Sequence, residues 1–101
     1  MNIPSHLRYA PSATLTLKAS RYANGRLAIQ AIDRDTGEPV AVLTVNLPDV
    51  PLAPDEVLLK DYSENQGVFK TLHLAGIVEP LATVRCGYAE AIKCRLLKDL
   101  A

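Results

Sequence analysis

The chain has 101 residues, with 11 basic and 11 acidic side chains, no net charge at pH 7 and 49% apolar residues. A chain of this length suffices for one hydrophobic core, so we expect a single globular domain over residues 1–101. The lack of net charge argues against non-specific binding to nucleic acid. No apolar run reaches the roughly 20 residues of a membrane span, and a signal-peptide pattern is absent. The sequence therefore predicts a cytoplasmic protein without membrane contact.

After an N-terminal extension, residues 1–11, three segments of alternating polarity predict strands: SATLTLKAS, GRLAIQAID and PVAVLTVNL. The turns between them fix the register. A three-residue loop at 23–25, with glycine third, sets Leu17 opposite Ala31 and keeps the apolar side chains of both strands on one face. The same turn chemistry at 35–37 sets Ala31 opposite Ala41. The sequence therefore predicts an antiparallel meander.

The two faces of this meander differ in polarity. The predicted core face comprises Leu15, Leu17, Ala19, Leu27, Ile29, Ala31, Ala41, Leu43 and Val45. On the largely polar reverse face, the register sets Ile32 opposite Val40, with Val42 nearby. The favoured interpretation of an apolar cluster on a polar face is that the chain termini or another element of the chain cover it, and the alternative is that it marks a protein interface. The candidate interface comprises Ile32, Val40, Val42, Thr16 and Lys18.

The outer edge of the first predicted strand has no partner in the meander. Only Lys18 protects it by charge, and it contains no proline, so it is a template for pairing with another strand. We expect a homodimer through this edge or through the reverse face. The last strands of the same chain are the main competitor for this position.

The second half of the chain begins with a proline-rich connector, residues 47–55, followed by a fourth strand in EVLLKDY. Ser63 and Gln66 match a capping box and Gly76 supplies a stop, which predicts a helix over residues 64–75. LATVRCG and AEAIKCRLL predict a hairpin through Gly87 and Tyr88, with a helix at 89–97 as the alternative. The predicted class is α+β: an antiparallel β-meander of three to four strands, one helix packed on the sheet, and a C-terminal strand hairpin.

The densest polar cluster comprises Lys60, Asp61, Tyr62 and Ser63. A lysine beside a tyrosine or a serine can lower its pKa, so a small enzyme centred on Lys60, Tyr62 and Ser63 is one hypothesis. The simpler interpretation is that Ser63 caps the helix and Asp61 begins the turn. Because no recognised catalytic or phosphate-binding motif accompanies the cluster, we expect a protein that is not an enzyme.

Other groups that carry chemistry are few. The spacing of Cys86 and Cys94 matches no zinc pair, and two buried, reduced thiols are the expected state. We therefore expect no metal and no cofactor. A basic corner is the basis of a third hypothesis, weak nucleic-acid binding, although the chain lacks aromatic platforms for bases and nucleic acid is an unlikely partner. This corner comprises Arg8, Lys18, Arg21 and Arg26.

Four segments, NGRLAI, GEPVAVLTVNLP, LLKDYSEN and AGIVEPL, lie between Asn24 and Leu81. In this order and spacing they resemble an uncharacterised family of small proteins encoded on bacterial plasmids, phages and integrative elements. The resemblance covers more than half of the chain. It implies no catalytic residues, because the family has no assigned activity. It implies a non-catalytic accessory protein that binds a host protein, with inhibition of a defence system of the anti-CRISPR or anti-restriction type as one such role.

Overall fold

A computed structural model describes residues 1–62 and 65–100, and this part of the chain contains seven strands and one helix. They are β1 (Asn2–Pro4), β2 (Thr14–Arg21), β3 (Leu27–Asp33), β4 (Pro39–Val42), β5 (Glu56–Leu59), α1 (Val68–Leu74), β6 (Val78–Cys86) and β7 (Ala89–Leu96). β1 to β4 form an antiparallel sheet in chain order, and β5, β7 and β6 form a second antiparallel sheet in that order. The predicted α+β class, with its meander and its C-terminal hairpin, is confirmed.

The register of the meander follows from its glycine turns. Leu17 lies opposite Ala31 in the first hairpin, as predicted, and Gly25 has the left-handed φ of 86° that the three-residue loop requires. Ala31 also lies opposite Ala41, as predicted, but the register then shifts. Ile32 consequently faces Pro39 and not Val40, so the predicted pair of Ile32 and Val40 is wrong.

The physical reason for this correction is a bulge beside the second turn. One extra residue on β4 breaks the strict alternation of side chains that the prediction assumed. Val40 is thereby half-buried against the hydrophobic core. The apolar cluster predicted for the reverse face is reduced to Ile32 and Val42.

Strand β1 was not predicted, because three residues that end in proline carry no readable alternation. It pairs with β2 along Thr14 to Thr16, and the Leu17 amide donates to the Met1 carbonyl at 3.1 Å. Ile3 is only 5% exposed and packs in the core. The outer edge of β2, which the sequence analysis treats as open, is therefore paired with the chain's own N-terminal strand along Thr14 to Thr16.

The third predicted strand ends early, and its last part joins the two sheets. β4 stops at Val42, and residues 43–45 cross from β3 toward β5. The Leu43 amide donates to Ile29 O at 2.8 Å, and the Val45 amide donates to Leu58 O at 3.0 Å. Lys60 N closes the junction with a 2.9 Å bond to Leu43 O. Both sheets consequently contribute to one core.

This core draws side chains from both sheets and from the helix. Its buried members are Ile3, Leu7, Leu15, Leu17, Ile29, Ala31, Leu43, Val57, Leu59, Val68, Leu72, Ile77, Val78 and Cys94. Each large member contributes roughly 1.5–3 kcal/mol through removal of its apolar surface from water. Val68 and Leu72 are one helical turn apart, which fixes the side of α1 that packs inward.

The helix is shorter than the predicted residues 64–75. Gly67 precedes it with a φ of 103°, and its amide donates to Asp61 Oδ1 at 2.8 Å, with a longer 3.4 Å contact from Phe69 N. Gln66, predicted to complete a capping box, accepts from Arg8 through Oε1. Ser63 lies outside the described residues. The Asp61 carboxylate is therefore a group that holds the start of this helix.

The connector at 47–55 contains neither helix nor strand, and the guanidinium group of Arg26 holds its first part. Arg26 donates to the carbonyl oxygens of Leu47 at 2.7 Å and of Val50. At its far end, Glu56 Oε1 accepts from Ala53 N at 2.8 Å and pairs with Lys93 at 3.4 Å. The backbone bond from Ala53, and then Lys93, lower the pKa of Glu56.

Gly67 lies where the N-terminal segment meets the helix, and a methyl group there would overlap the backbone carbonyl of His6. We expect Gly67→Ala to lower the free energy of unfolding by about 3 kcal/mol or more, from steric overlap added to a left-handed φ. Gly25→Ala is the matched control, because its φ is also positive but its surroundings are open, and about 1–2 kcal/mol is expected. Urea denaturation measures both, and equal losses would contradict this account.

Candidate protein-binding surface

The polar cluster at the end of β5 contributes to the framework of the fold. Asp61 accepts backbone bonds at the start of α1, while Lys60 Nζ lies 5.6 Å from the centroid of the Tyr62 ring. The Tyr62 hydroxyl is 3.5 Å from Cys86 Sγ. Ser63, the nucleophile of the enzyme hypothesis, is outside the residues that the structure describes. The contacts of Asp61 favour a structural role for this part of the cluster.

The two cysteines are free and differ in environment. Cys94 is fully buried in the core, whereas Cys86 is half-buried at the end of β6. Burial, and then the nearby negative charge of Asp61, raise the pKa of Cys94 to about 12. The Cys94 thiol therefore stays protonated at neutral pH and behaves as a small apolar side chain. Among residues 1–62 and 65–100, no group of three His, Cys, Asp or Glu side chains could hold a metal ion.

The candidate interface on the reverse face is only partly assembled. Thr16 lies opposite Ile32 and donates through its hydroxyl to Asn2 Oδ1 at 2.7 Å. Lys18 is exposed opposite Gln30, which in turn faces Val42. Val42 is 48% exposed, but Val40 packs toward the core. What remains on this face is a mixed surface that borders, at Val40 and Val42, a partly polar cleft.

The basic corner predicted from the sequence is divided between different partners. Arg8 bonds to Gln66 Oε1 at 3.0 Å, next to the start of the helix. Arg26 is held by carbonyl oxygens of the connector, and Arg21 donates to Gly25 O at 3.4 Å. Two of these guanidinium groups thus hold separate segments of the chain, which is a structural use of their charge.

An apolar groove lies between the helix and the hairpin, in a place that the sequence analysis did not identify. Its volume is about 470 Å³, and it is lined by Phe69, Pro80, Leu81, Ala82, Thr83 and Ile92, which together we call the α1–β6 groove. Leu81 is 39% exposed. It is the extra residue of a bulge between Pro80 and Ala82, so the ladder with β7 does not hold it. The groove extends the apolar core to the surface.

One wall of the groove is held by stacked rings. Phe69 and His73 lie one turn apart on α1, and their ring centroids are 5.0 Å apart with nearly parallel planes. His73 Nδ1 is 3.2 Å from Val78 O, which joins the helix to the first residue of β6. These contacts position Phe69 beside the bulge.

Beyond the bulge, the outer edge of β6 is open. Leu96 N donates toward β5 and Leu97 N toward Ile77 O, so alternation along β7 directs the amides of Lys93 and Ala91 toward β6. Their partners Ala82 and Val84 therefore face inward. The N–H and C=O groups of Thr83 and Arg85 must then point outward, and among the described residues no strand lies beyond β6.

One signal in the sequence points to this surface. β6 starts before the predicted segment LATVRCG and therefore contains Pro80. Proline within a sheet is confined to edge strands and bulges. The predicted segment begins at Leu81 and so excludes this proline from the strand. Including Pro80 would have marked β6 as an edge strand.

The cleft that Val40 and Val42 border lies beside the junction of the two sheets, has a volume of about 420 Å³ and has a more polar lining than the α1–β6 groove. Its polar groups bond mainly to one another: the Tyr22 hydroxyl is 2.9 Å from Thr44 Oγ1, and Asn65 Nδ2 donates to Val42 O at 2.6 Å. These bonds hold residues 43–45 in place, so the cleft is a consequence of the junction.

Comparisons with known proteins add no relative. No family model matches the chain, and neither a curated protein nor a solved structure matches it. Within the described residues, no helix combines the length and the apolar character needed to cross a bilayer.

The structural role of Asp61 can be tested directly. Asp61→Ala removes the acceptor of the Gly67 amide, and we expect a loss of about 1.5–3 kcal/mol in the free energy of unfolding. Asp49→Ala deletes an exposed carboxylate in the connector and is the matched control, with a change within about 0.5 kcal/mol. Chemical denaturation measures both variants. If Asp61→Ala is as stable as Asp49→Ala, the carboxylate does not hold the helix.

Proposed function

We propose that the protein is a non-catalytic binding protein that takes a segment of a partner protein into the α1–β6 groove. The observation that carries this proposal is the juxtaposition of two features. An apolar groove lies beside the one stretch of β6 whose backbone groups point outward. Partner side chains that enter such a groove are removed from water, which favours binding. Backbone hydrogen bonds to β6 then fix the orientation of the partner segment.

The groove fits this role better than the reverse face of the meander. Its lining is almost entirely apolar, whereas the cleft beside Val40 and Val42 has a more polar lining whose groups bond within the fold. Proteins that bind an extended peptide at a sheet edge use apolar pockets of this kind for alternate side chains of the peptide. The exposed Leu81 has no partner strand on its outer side, so its burial by a ligand adds stability without breaking a contact of the fold.

The resemblance to mobile-element proteins supports a host protein as the partner. An accessory protein of this kind acts by occupying a surface that its target needs, and a component of a CRISPR or restriction system is the target class that we propose. The contacts of Asp61 at the start of α1 support the non-catalytic part of this proposal, because they assign a structural task to a central member of the polar cluster.

The test uses a photo-crosslinking amino acid at position 81 of the full chain in bacterial cells, with position 42 as the matched site on the reverse face. The crosslinked protein is identified, purified and titrated with variants. We expect Leu81→Glu to weaken its binding at least about tenfold, because a carboxylate cannot be buried in an apolar groove. We expect Val42→Glu to change binding less than about twofold.

Crosslinks that form at position 42 and not at 81, or equal losses of affinity in both variants, would show that the groove is not the binding surface. A defence-interference assay in cells then tests the target class. The protein should restore plasmid transformation against an active CRISPR or restriction system, and Leu81→Glu should abolish this effect.

A further inference from the structure

We infer that the partner segment binds as an added antiparallel strand on β6, with an acidic side chain opposite Arg85 and an apolar side chain in the α1–β6 groove. This inference rests on the proposed function and specifies the chemistry of the partner.

The backbone of β6 sets where such a strand can pair. Thr83 and Arg85 each direct one N–H and one C=O outward, as the alternation along β7 requires. In an antiparallel pair, two residues directly opposite each other exchange both bonds, so these two residues offer four backbone hydrogen bonds to an incoming strand. This is the recognition mode in which main-chain bonds supply affinity and side chains supply selectivity.

The stretch open to pairing is short because both of its ends are closed. Toward the start of β6, His73 already contacts Val78 O, and Pro80 has no N–H to donate. Toward its end, the chain turns at Gly87 and Tyr88 into β7. A partner must therefore be aligned on Thr83 and Arg85, which fixes its register.

Charge specifies one position of the partner. Thr83 lies opposite Ile92, so its side chain is on the groove face, and Arg85, two residues on, shares that face. Arg85 is exposed, and its hydrogen bond within the described residues is a 3.4 Å contact from Nε to Gly87 O. Glu90 lies opposite it on β7, yet no ion pair joins the two among the described residues. A carboxylate opposite Arg85 on the incoming strand supplies the missing partner.

The groove specifies a second position. Side chains of a strand return to the same face every second residue, so the partner residue opposite Thr83 follows the acidic one by two. The next residue on that face, about four after the acidic one, reaches Leu81 and Phe69. The partner is therefore an extended segment with an acidic residue followed, about four positions later, by a large apolar residue.

The experiment is a selection of randomised peptides displayed against the immobilised full chain. We expect enrichment of segments with Asp or Glu at the first position and Leu, Ile or Phe about four positions later. Arg85→Glu should exchange the preference at the first position for Lys or Arg, whereas Arg85→Lys should retain the acidic preference. Arg34→Glu, at an exposed site in the turn after β3, is the matched control and should leave the selected pattern unchanged. Amide NMR shifts of the best peptide complex should be largest at Thr83 and Arg85.

The failures of the two proposals can be told apart. Peptides that lose binding in Leu81→Glu but show no acidic preference would overturn strand addition and leave the groove as a binding site. Peptides unaffected by Leu81→Glu would overturn both. Light scattering of the protein alone decides the remaining case: a dimer that Thr83→Pro converts to monomers would show that a second copy occupies the edge, against this inference.

Discussion

Residues 43–45 belong to both sheets, and the remaining architecture depends on this shared segment. The backbone of Leu43 bonds to Ile29 on one side and to Lys60 on the other, while Val45 bonds to Leu58. Thr44 is almost fully buried, and its hydroxyl accepts from Ile29 N and meets the Tyr22 hydroxyl. The Thr44 hydroxyl oxygen thus accepts the hydrogen bond of a β3 amide at the point where the chain leaves β3 for β5. This avoids the free-energy cost of a buried amide without an acceptor.

The junction determines which backbone edges remain open. Because the chain continues from β4 into the contact with β5, residues 43–45 occupy the inner margins of the two sheets at the junction, and the outer margins in the described structure belong to β1, to the part of β2 beyond it, and to β6. β1 is short and ends in proline, a common protection of an edge strand. β6 is protected at its start by Pro80 and its bulge, and its remaining stretch lies beside an apolar groove. This bulge also places the Leu81 side chain at the surface, next to the unprotected stretch of β6.

The sequence could predict what local chemistry decides. Glycine turns and strict alternation predicted the register of Leu17 with Ala31, and Gly87 with Tyr88 predicted the last hairpin. The sequence could not predict the bulge that moves Val40, because the strand has apolar side chains on its core face with or without the extra residue. Nor could it predict the three-residue β1, whose pairing depends on a strand distant in sequence. The α1–β6 groove was missed because it arises where a helix and a bulged edge strand meet, which no single segment encodes.

Native-state hydrogen exchange, resolved by residue with NMR, tests most directly that a shared junction joins the two sheets and that β6 has an open outer edge. The amides of Leu43, Val45 and Lys60 should exchange only with the free energy of global unfolding, because opening them separates the sheets. The amides of Thr83 and Arg85 should exchange rapidly, whereas Val84 between them should be protected. Equal protection of Thr83, Val84 and Arg85, or exchange at the junction by local opening well below the global free energy, would contradict the account.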